Sequence, residues 1–185
     1  MSKTYHLTTP LSDDDVKMLK AGDIVFLSGT LFTARDAAHK RLVELIENNE
    51  PLPFDLKGSV IYFVGPTPPK PGDPIGSAGP TTSYRMDSYS PVLLRHGSKG
   101  MIGKGKRNQE VKDACKTYNG VYFGATGGAG ALLGKKIVSS KVVAYPELGP
   151  EAVREIEVKD FPVTVINDTQ GNDLYAQGRA QYEQK

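Results

Sequence analysis

Apolar positions along the chain recur with two alternating periods, one of three to four residues and one of two, so the pattern predicts helices interleaved with strands. In SDDDVKMLKAG, Ser12 stands three residues before Asp15 and Gly22 closes the segment, the marks of a capped short helix. DIVFLSGTL then reads as a strand. RDAAHKRLVELIENN puts Ala38, Leu42 and Leu45 on one helical face, and GSVIYFVGP follows as a second apolar strand ending in a Gly-Pro turn. TPPKPGDPIGSAGP is a loop by composition, and it leads directly into a helix that carries Arg85, with Met86, Tyr89, Val92 and Leu93 as its apolar contacts. KGMIG and GVYFG read as short strands flanking the helix RNQEVKDACKTYN, and a glycine-rich turn leads to a small helix around ALLG. KVVAYPEL, REIEV and FPVTVIND are three strand candidates without a long helix between them, which predicts antiparallel pairing. The tail AQGRAQYEQK reads as a peripheral helix. The expected fold class is mixed α/β.

Composition narrows this picture. A chain of 185 residues suits one domain, 1–185, with room for a real core. Its 23 Lys+Arg against 21 Asp+Glu leave a net charge of +2, so overall charge supports neither a nucleic-acid partner nor a membrane surface. MSKTYHLTTPLSDDD has no apolar leader-like run, and the expectation is a cytoplasmic protein. Cys115 is the single cysteine, so several thiolates of this chain cannot hold a metal or cluster; beside Val111 and Ala114 it reads as a core thiol.

Glycine-rich stretches invite nucleotide readings, and the spacing rejects the best of them. A phosphate-binding loop ending at Gly134-Lys135 needs glycine at 129 and a hydroxyl at 136, where the chain has Ala129 and Lys136. The dinucleotide fingerprint also breaks, because Leu133 stands where the third glycine after Gly128 and Gly130 belongs. Close backbone packing accounts for these glycines better. GKGKRN instead puts Lys104 between glycines, just before a helix whose N-terminal amides favour anions; a solvated lysine loop is the competing reading.

Arg35 and Arg85 pose one puzzle in common. Each sits near the start of an expected helix, where the dipole disfavours a cation, while Asp36 is the charge that position prefers. Each stands between a structural ion pair and an anion site. His39, four residues after Arg35, either faces a cleft with it or satisfies a backbone carbonyl. Two helix-start arginines and a glycine-flanked lysine fit a ligand with two carboxylates.

The ordered set GTLFTARDAAH, SAGPTTSYRMDSY, MIGKGK, FGATGGAGAL and DFPVTVINDTQGN resembles the C-terminal half of class I, iron-sulfur-dependent fumarases, which many archaea and bacteria carry as a separate β subunit. L(+)-tartrate dehydratase β subunits are close relatives. The resemblance implies a swivelling β/β/α domain, a central mixed sheet flanked by helices, that docks against a larger α subunit carrying a 4Fe-4S cluster. It implies a hydro-lyase, active only with that α subunit, that interconverts fumarate and (S)-malate in an α2β2 complex or one with β-β contacts; tartrate and mesaconate are alternative substrates. It further implies that Arg35, Arg85 and Lys104 bind substrate carboxylates, that Thr81 is the base or proton-transfer group, and that Thr82 is its substrate-binding neighbour or a helix cap; Asp36 and His39, by their positions beside Arg35, are candidate supporting residues. A non-catalytic anion-binding or interaction module is the alternative of another class.

Overall fold

The computed structural model describes residues 1–125 and 130–183. Seven strands and six α-helices run in the order β1 (Thr4–Thr8), α1 (Asp13–Lys17), β2 (Ile24–Thr33), α2 (Asp36–Glu47), β3 (Val60–Tyr62), α3 (Ser90–Arg95), β4 (Gly100–Gly103), α4 (Gln109–Tyr118), β5 (Val121–Ala125), α5 (Gly130–Gly134), β6 (Ile137–Ala144), β7 (Val153–Asn167) and α6 (Leu174–Glu183). Two 3₁₀ turns, Ser83–Met86 and Pro146–Glu151, stand before α3 and β7. Local chemistry sets several boundaries. Ser12 and Asp15 form the expected capping box, although α1 ends at Lys17, short of Gly22. Asn108 caps α4 by accepting from the Val111 amide, and Asn119 closes it in the left-handed region.

The strands form one mixed sheet that closes on itself. β2, β3, β4 and β5 pair in parallel or lead into one another through parallel neighbours, and β7 pairs antiparallel with both β5 and β2 to complete the ring. β1 and β6 extend it, beside β2 and β7 respectively. Side chains of Val25, Leu31, Tyr62, Ile102, Phe123 and Phe161 meet in one core cluster. The opposite face, with Ile61, Phe63, Met101 and Tyr122, packs against Ala38 and Leu42 of α2, Leu93 and Leu94 of α3, and Val111 and Cys115 of α4. Strands buried on both faces read as unbroken apolar runs, which is why β3, β4 and β5 stood out as they did. No helix of the described residues is long and apolar enough to cross a membrane.

Three differences from the sequence reading have physical causes. REIEV and FPVTVIND are one strand, β7, bent by a bulge: the register moves from Leu27 opposite Phe161 to Gly29 opposite Val158, leaving one extra residue on β7. Asp160 takes φ +51 there, and its amide donates to Ser28 Oγ at 3.0 Å. The expected helix through Arg85 is a 3₁₀ turn followed by a separate α3, because Pro91 lacks an N–H and is tolerated only in a first helical turn. β1 lacked an apolar run of its own, since only Leu7 in it is buried. Of the glycine-rich turn, Gly127 and Gly128 lie outside the described residues. Gly130 and Gly134 do pack closely: a Cβ on Gly130 would meet the Gly79 nitrogen at 2.7 Å, and one on Gly134 the Gly76 oxygen at 2.8 Å.

Gly29 tests how tightly the bulge is built. It has φ +104, and a Cβ there would lie 2.7 Å from Thr9 Oγ1 and 3.0 Å from the Thr9 carbonyl oxygen. Gly29→Ala is expected to cost about 1–3 kcal/mol, read as a Tm lowered by about 2–4 °C per kcal/mol in thermal unfolding. An unchanged Tm would mean that the register shift between β2 and β7 does not depend on this contact.

Candidate active site

The candidate residues gather at the C-terminal ends of the parallel strands, where open α/β sheets commonly bind ligands. Arg35 follows β2 as the N-cap of α2, and Lys104 directly follows β4. The segment carrying Thr81 and Thr82 lies between the end of β3 and Lys104. The Thr81 amide donates to the Phe63 carbonyl at 2.7 Å, Lys104 N–H donates to the Thr81 carbonyl at 3.3 Å, and Ser83 N–H donates to the Lys104 carbonyl at 2.8 Å. Thr82 and Lys104 form a parallel bridge, so this loop acts as a short extra strand over the sheet end.

That approach depends on Gly103. A Cβ there would fall 1.9 Å from Ser83 Oγ and 2.9 Å from a Phe63 ring carbon, which explains why the lysine is preceded by glycine. Beneath the loop, Tyr122 OH donates to the Gly105 carbonyl at 2.8 Å, which leaves Ser83 Oγ to donate to Tyr122 oxygen, also at 2.8 Å. Lys104 itself is exposed. Thr82 occupies the N-cap position of the 3₁₀ turn but makes no capping hydrogen bond, so its expected role as a cap is not realised.

The two arginines are held differently. Arg85 pairs through Nε with Asp36 Oδ2 at 2.9 Å, and its side chain remains 43% exposed. The ion pair and the anion site are therefore compatible: Asp36 orients Arg85 at Nε and leaves the far end of the fork open. A pair this exposed adds little to stability. Arg35 runs over Gly65, where a Cβ would lie 2.8 Å from Nη1, and its Nε is 3.9 Å from Glu151 Oε1 in the second 3₁₀ turn. Arg35 Nε and Asp36 Oδ1 are buried without a hydrogen-bond partner among the described residues. The three cations outnumber the two carboxylates that accompany them, so the site favours an anion.

His39 does not face the cleft. It is fully buried, donates from Nδ1 to the Arg35 carbonyl at 2.9 Å, and meets the Phe63 ring edge-on at 5.2 Å. Burial pushes its pKa down to about 4, against the opposing pull of the Arg35 carbonyl, so it is neutral near pH 7. Its task is to hold the backbone that carries Arg35. Cys115 is equally enclosed, and burial pushes its thiol up to about 12. Among the described residues no group of three or more His, Cys, Asp or Glu is arranged to hold a metal ion.

The sequence reading passed over Arg107 and Asp87, which form a buried ion pair under this site, and Glu151, which accompanies Arg35. Arg107 opens the predicted helix RNQEVKDACKTYN, but only Lys104 of GKGKRN drew a role. The signal was the one used for Arg35 and Arg85, a cation just ahead of a helix start.

A family model for the fumarase C-terminus matches residues 2–178. The chain belongs to the fumarase C-terminus family. Relatives in this family include fumarate hydratase 2 of Leishmania major, 46% identical over 157 residues, which cover 84% of this chain and 28% of that protein. The putative L(+)-tartrate dehydratase subunit beta of Methanocaldococcus jannaschii is 42% identical over 171 residues, covering 89% of this chain and 88% of the relative. The L(+)-tartrate dehydratase subunit beta of Escherichia coli (strain K12) is 35% identical over 184 residues, covering 97% and 90%. The chain thus spans 28% of the fumarate hydratase it matches, and most of each tartrate dehydratase subunit.

The buried His39 makes stability depend on pH with a definite sign. Its folded pKa lies below the ordinary 6.5, so the unfolded chain binds the extra proton first. The stabilisation is complete above about pH 6.5 and is lost as pH falls through about 4, on the order of 3 kcal/mol in all. Denaturant titrations of wild type and His39→Phe between pH 7 and 4 should show the steeper loss in wild type. Parallel curves would remove His39 as a source of acid sensitivity.

Proposed function

We propose that this chain is the β subunit of a class I fumarate hydratase, a hydro-lyase that reversibly adds water to fumarate to give (S)-malate, and that it works with a cluster-bearing α subunit in the cytoplasm. The observation that carries the reading is the convergence of Arg35, Arg85 and Lys104 with Thr81 at the ends of β2, β3 and β4. The subunit role is supported by the relatives named as beta subunits, along most of whose length the chain matches.

The chemistry asks for these residue types. Exchanging a proton at the carbon beside a carboxylate pushes negative charge onto that carboxylate in the transition state. Cations and guanidinium forks already in place stabilise that state more than the ground state. Arg85, aimed by Asp36, and Lys104, set on its glycine-flanked loop, take one or both carboxylates, with Arg35 completing the cradle. Thr81 has its backbone held on both sides, by Phe63 and Lys104, which fixes where its hydroxyl can act. A threonine hydroxyl is a weak base by itself, so in this reading it transfers a proton only with help from a carboxylate of the α subunit, or else orients the substrate.

The described residues of this chain do not fit a 4Fe-4S cluster: the one cysteine is buried with its thiol kept protonated. In this reading the cluster is held by the α subunit, and this chain contributes the residues that bind and orient the dicarboxylate. A second reading, an L(+)-tartrate dehydratase β subunit, is favoured by the names of the two relatives matched over most of their length.

Anaerobic assembly with an α subunit, followed by turnover assays on fumarate, (S)-malate, L(+)-tartrate and mesaconate, separates these readings. Fumarate and malate are expected to be the best pair, with no turnover by this chain alone; preferred tartrate turnover selects the second reading. Dicarboxylate binding without turnover in any assembly would leave an anion-binding module. In the active complex, Arg85→Ala should lower kcat/KM by about 10²-fold or more, and near-normal kinetics would take Arg85 out of the site. Thr81→Val should abolish solvent-proton exchange into malate if Thr81 transfers a proton; retained exchange with a raised KM would reduce it to positioning.

A further inference from the structure

Arg107 lies three residues beyond Lys104, and its side chain is completely buried. Its guanidinium reaches across to the segment that carries Arg85: Nε donates to Asp87 Oδ1 at 2.6 Å and Nη2 to Ser90 Oγ at 2.7 Å. Asp87 completes the bridge with its other oxygen, Oδ2, which accepts the Asn108 N–H at 2.9 Å. The guanidinium also lies 4.7 Å from the centroid of the Tyr122 ring and 5.2 Å from that of Phe63. Both residues serve the site, Phe63 through its backbone carbonyl, which anchors Thr81, and Tyr122 through its hydroxyl, which joins Ser83 to Gly105.

Stability alone is a poor reason for this arrangement. A buried ion pair loses so much solvation that well-packed apolar residues often do as well or better. Apolar packing would, however, be indifferent to a small slide between the two segments, whereas a guanidinium fork accepts only a narrow range of directions. The backbones of the two segments meet at the Thr82–Lys104 bridge, and the fork adds a second, directional tie further along, between Asp87 and the start of α4.

We propose that Arg107 is a positioning residue of the anion site: paired with Asp87, it locks the Lys104 loop to the Arg85 turn at one spacing, so that a dicarboxylate meets both cations without reorganisation. The kinetic consequence rests on the fumarate hydratase reading, while the structural lock does not.

Two variants test it, Arg107→Lys, which keeps the charge but loses the fork, and the double variant Arg107→Met with Asp87→Leu, which replaces the pair by apolar groups. In the full chain, hydrogen exchange at the Ser83 and Lys104 amides is expected to speed up at least about 10-fold in both, while exchange at Val163 in β7 stays as in wild type. In the complex with the α subunit, kcat/KM for fumarate should fall at least about 10-fold, mainly through KM, even where the double variant keeps the wild-type Tm. A double variant with wild-type Tm, exchange and kinetics would overturn the proposal. If the double variant does not fold, Arg107→Lys decides by the same readouts, with wild-type values again overturning it. Should the wild-type complex hydrate no substrate, the functional reading falls and the exchange measurement alone decides the lock.

Discussion

The antiparallel pairing of β2 with β7, from Ile24 opposite Thr164 to Thr33 opposite Arg154, closes the sheet, and the rest of the structure hangs on it. Parallel strands cannot close a ring by short connections, because each needs a crossover before it can pair again. β7 removes that difficulty by running back against β2 and meeting β5 along its second half. Closure leaves the C-terminal ends of β2, β3 and β4 side by side at one rim, and the loops that leave those ends carry Arg35, the Thr81 segment's anchor at Phe63, and Lys104.

Beneath that rim lies a layer of buried polar groups whose only visible task is to fix the loops. His39 holds the Arg35 carbonyl, Arg107 ties Asp87 to Ser90, and Tyr122 joins Ser83 to Gly105. Phe63 touches two of the three, since the His39 ring and the Arg107 guanidinium both pack on it. Burying polar groups costs free energy unless each finds a partner, so such a layer stabilises little in net terms. What it supplies is direction. The exposed cations above it are thereby placed with less freedom than surface side chains usually have.

Much of the fold was legible because burial on both faces writes apolar runs into β3 and β5, and because Ser12 and Asp15 mark a helix start by local hydrogen bonding. β1 was not legible, since one buried leucine makes no pattern. β7 was read as two strands because Lys159 and Asp160 interrupt it, and a bulge can only be recognised once the partner strand is known. In the site, Arg35 and Arg85 stood out as cations where helix dipoles disfavour them, and Lys104 as a lysine between glycines just ahead of a helix. Arg107 stood in the same kind of place and was missed, because its partner Asp87 lies 20 positions away and its burial comes from segments distant in the chain.

Residue order was sufficient for what depends on near neighbours: the alternation of helices and strands, the capped ends, the single core cysteine, and the motif set that marks the fumarase C-terminus family. Contacts between residues far apart in the chain needed the folded molecule. Asp36 could be placed at a helix start from the sequence, but its pairing with Arg85, 49 positions away, follows from the parallel order of β2, β3 and β4. The charge state of His39 and the burial of Arg107 belong to the same class. Each is set by how completely other segments exclude water around it, and that exclusion exists only after the ring has closed.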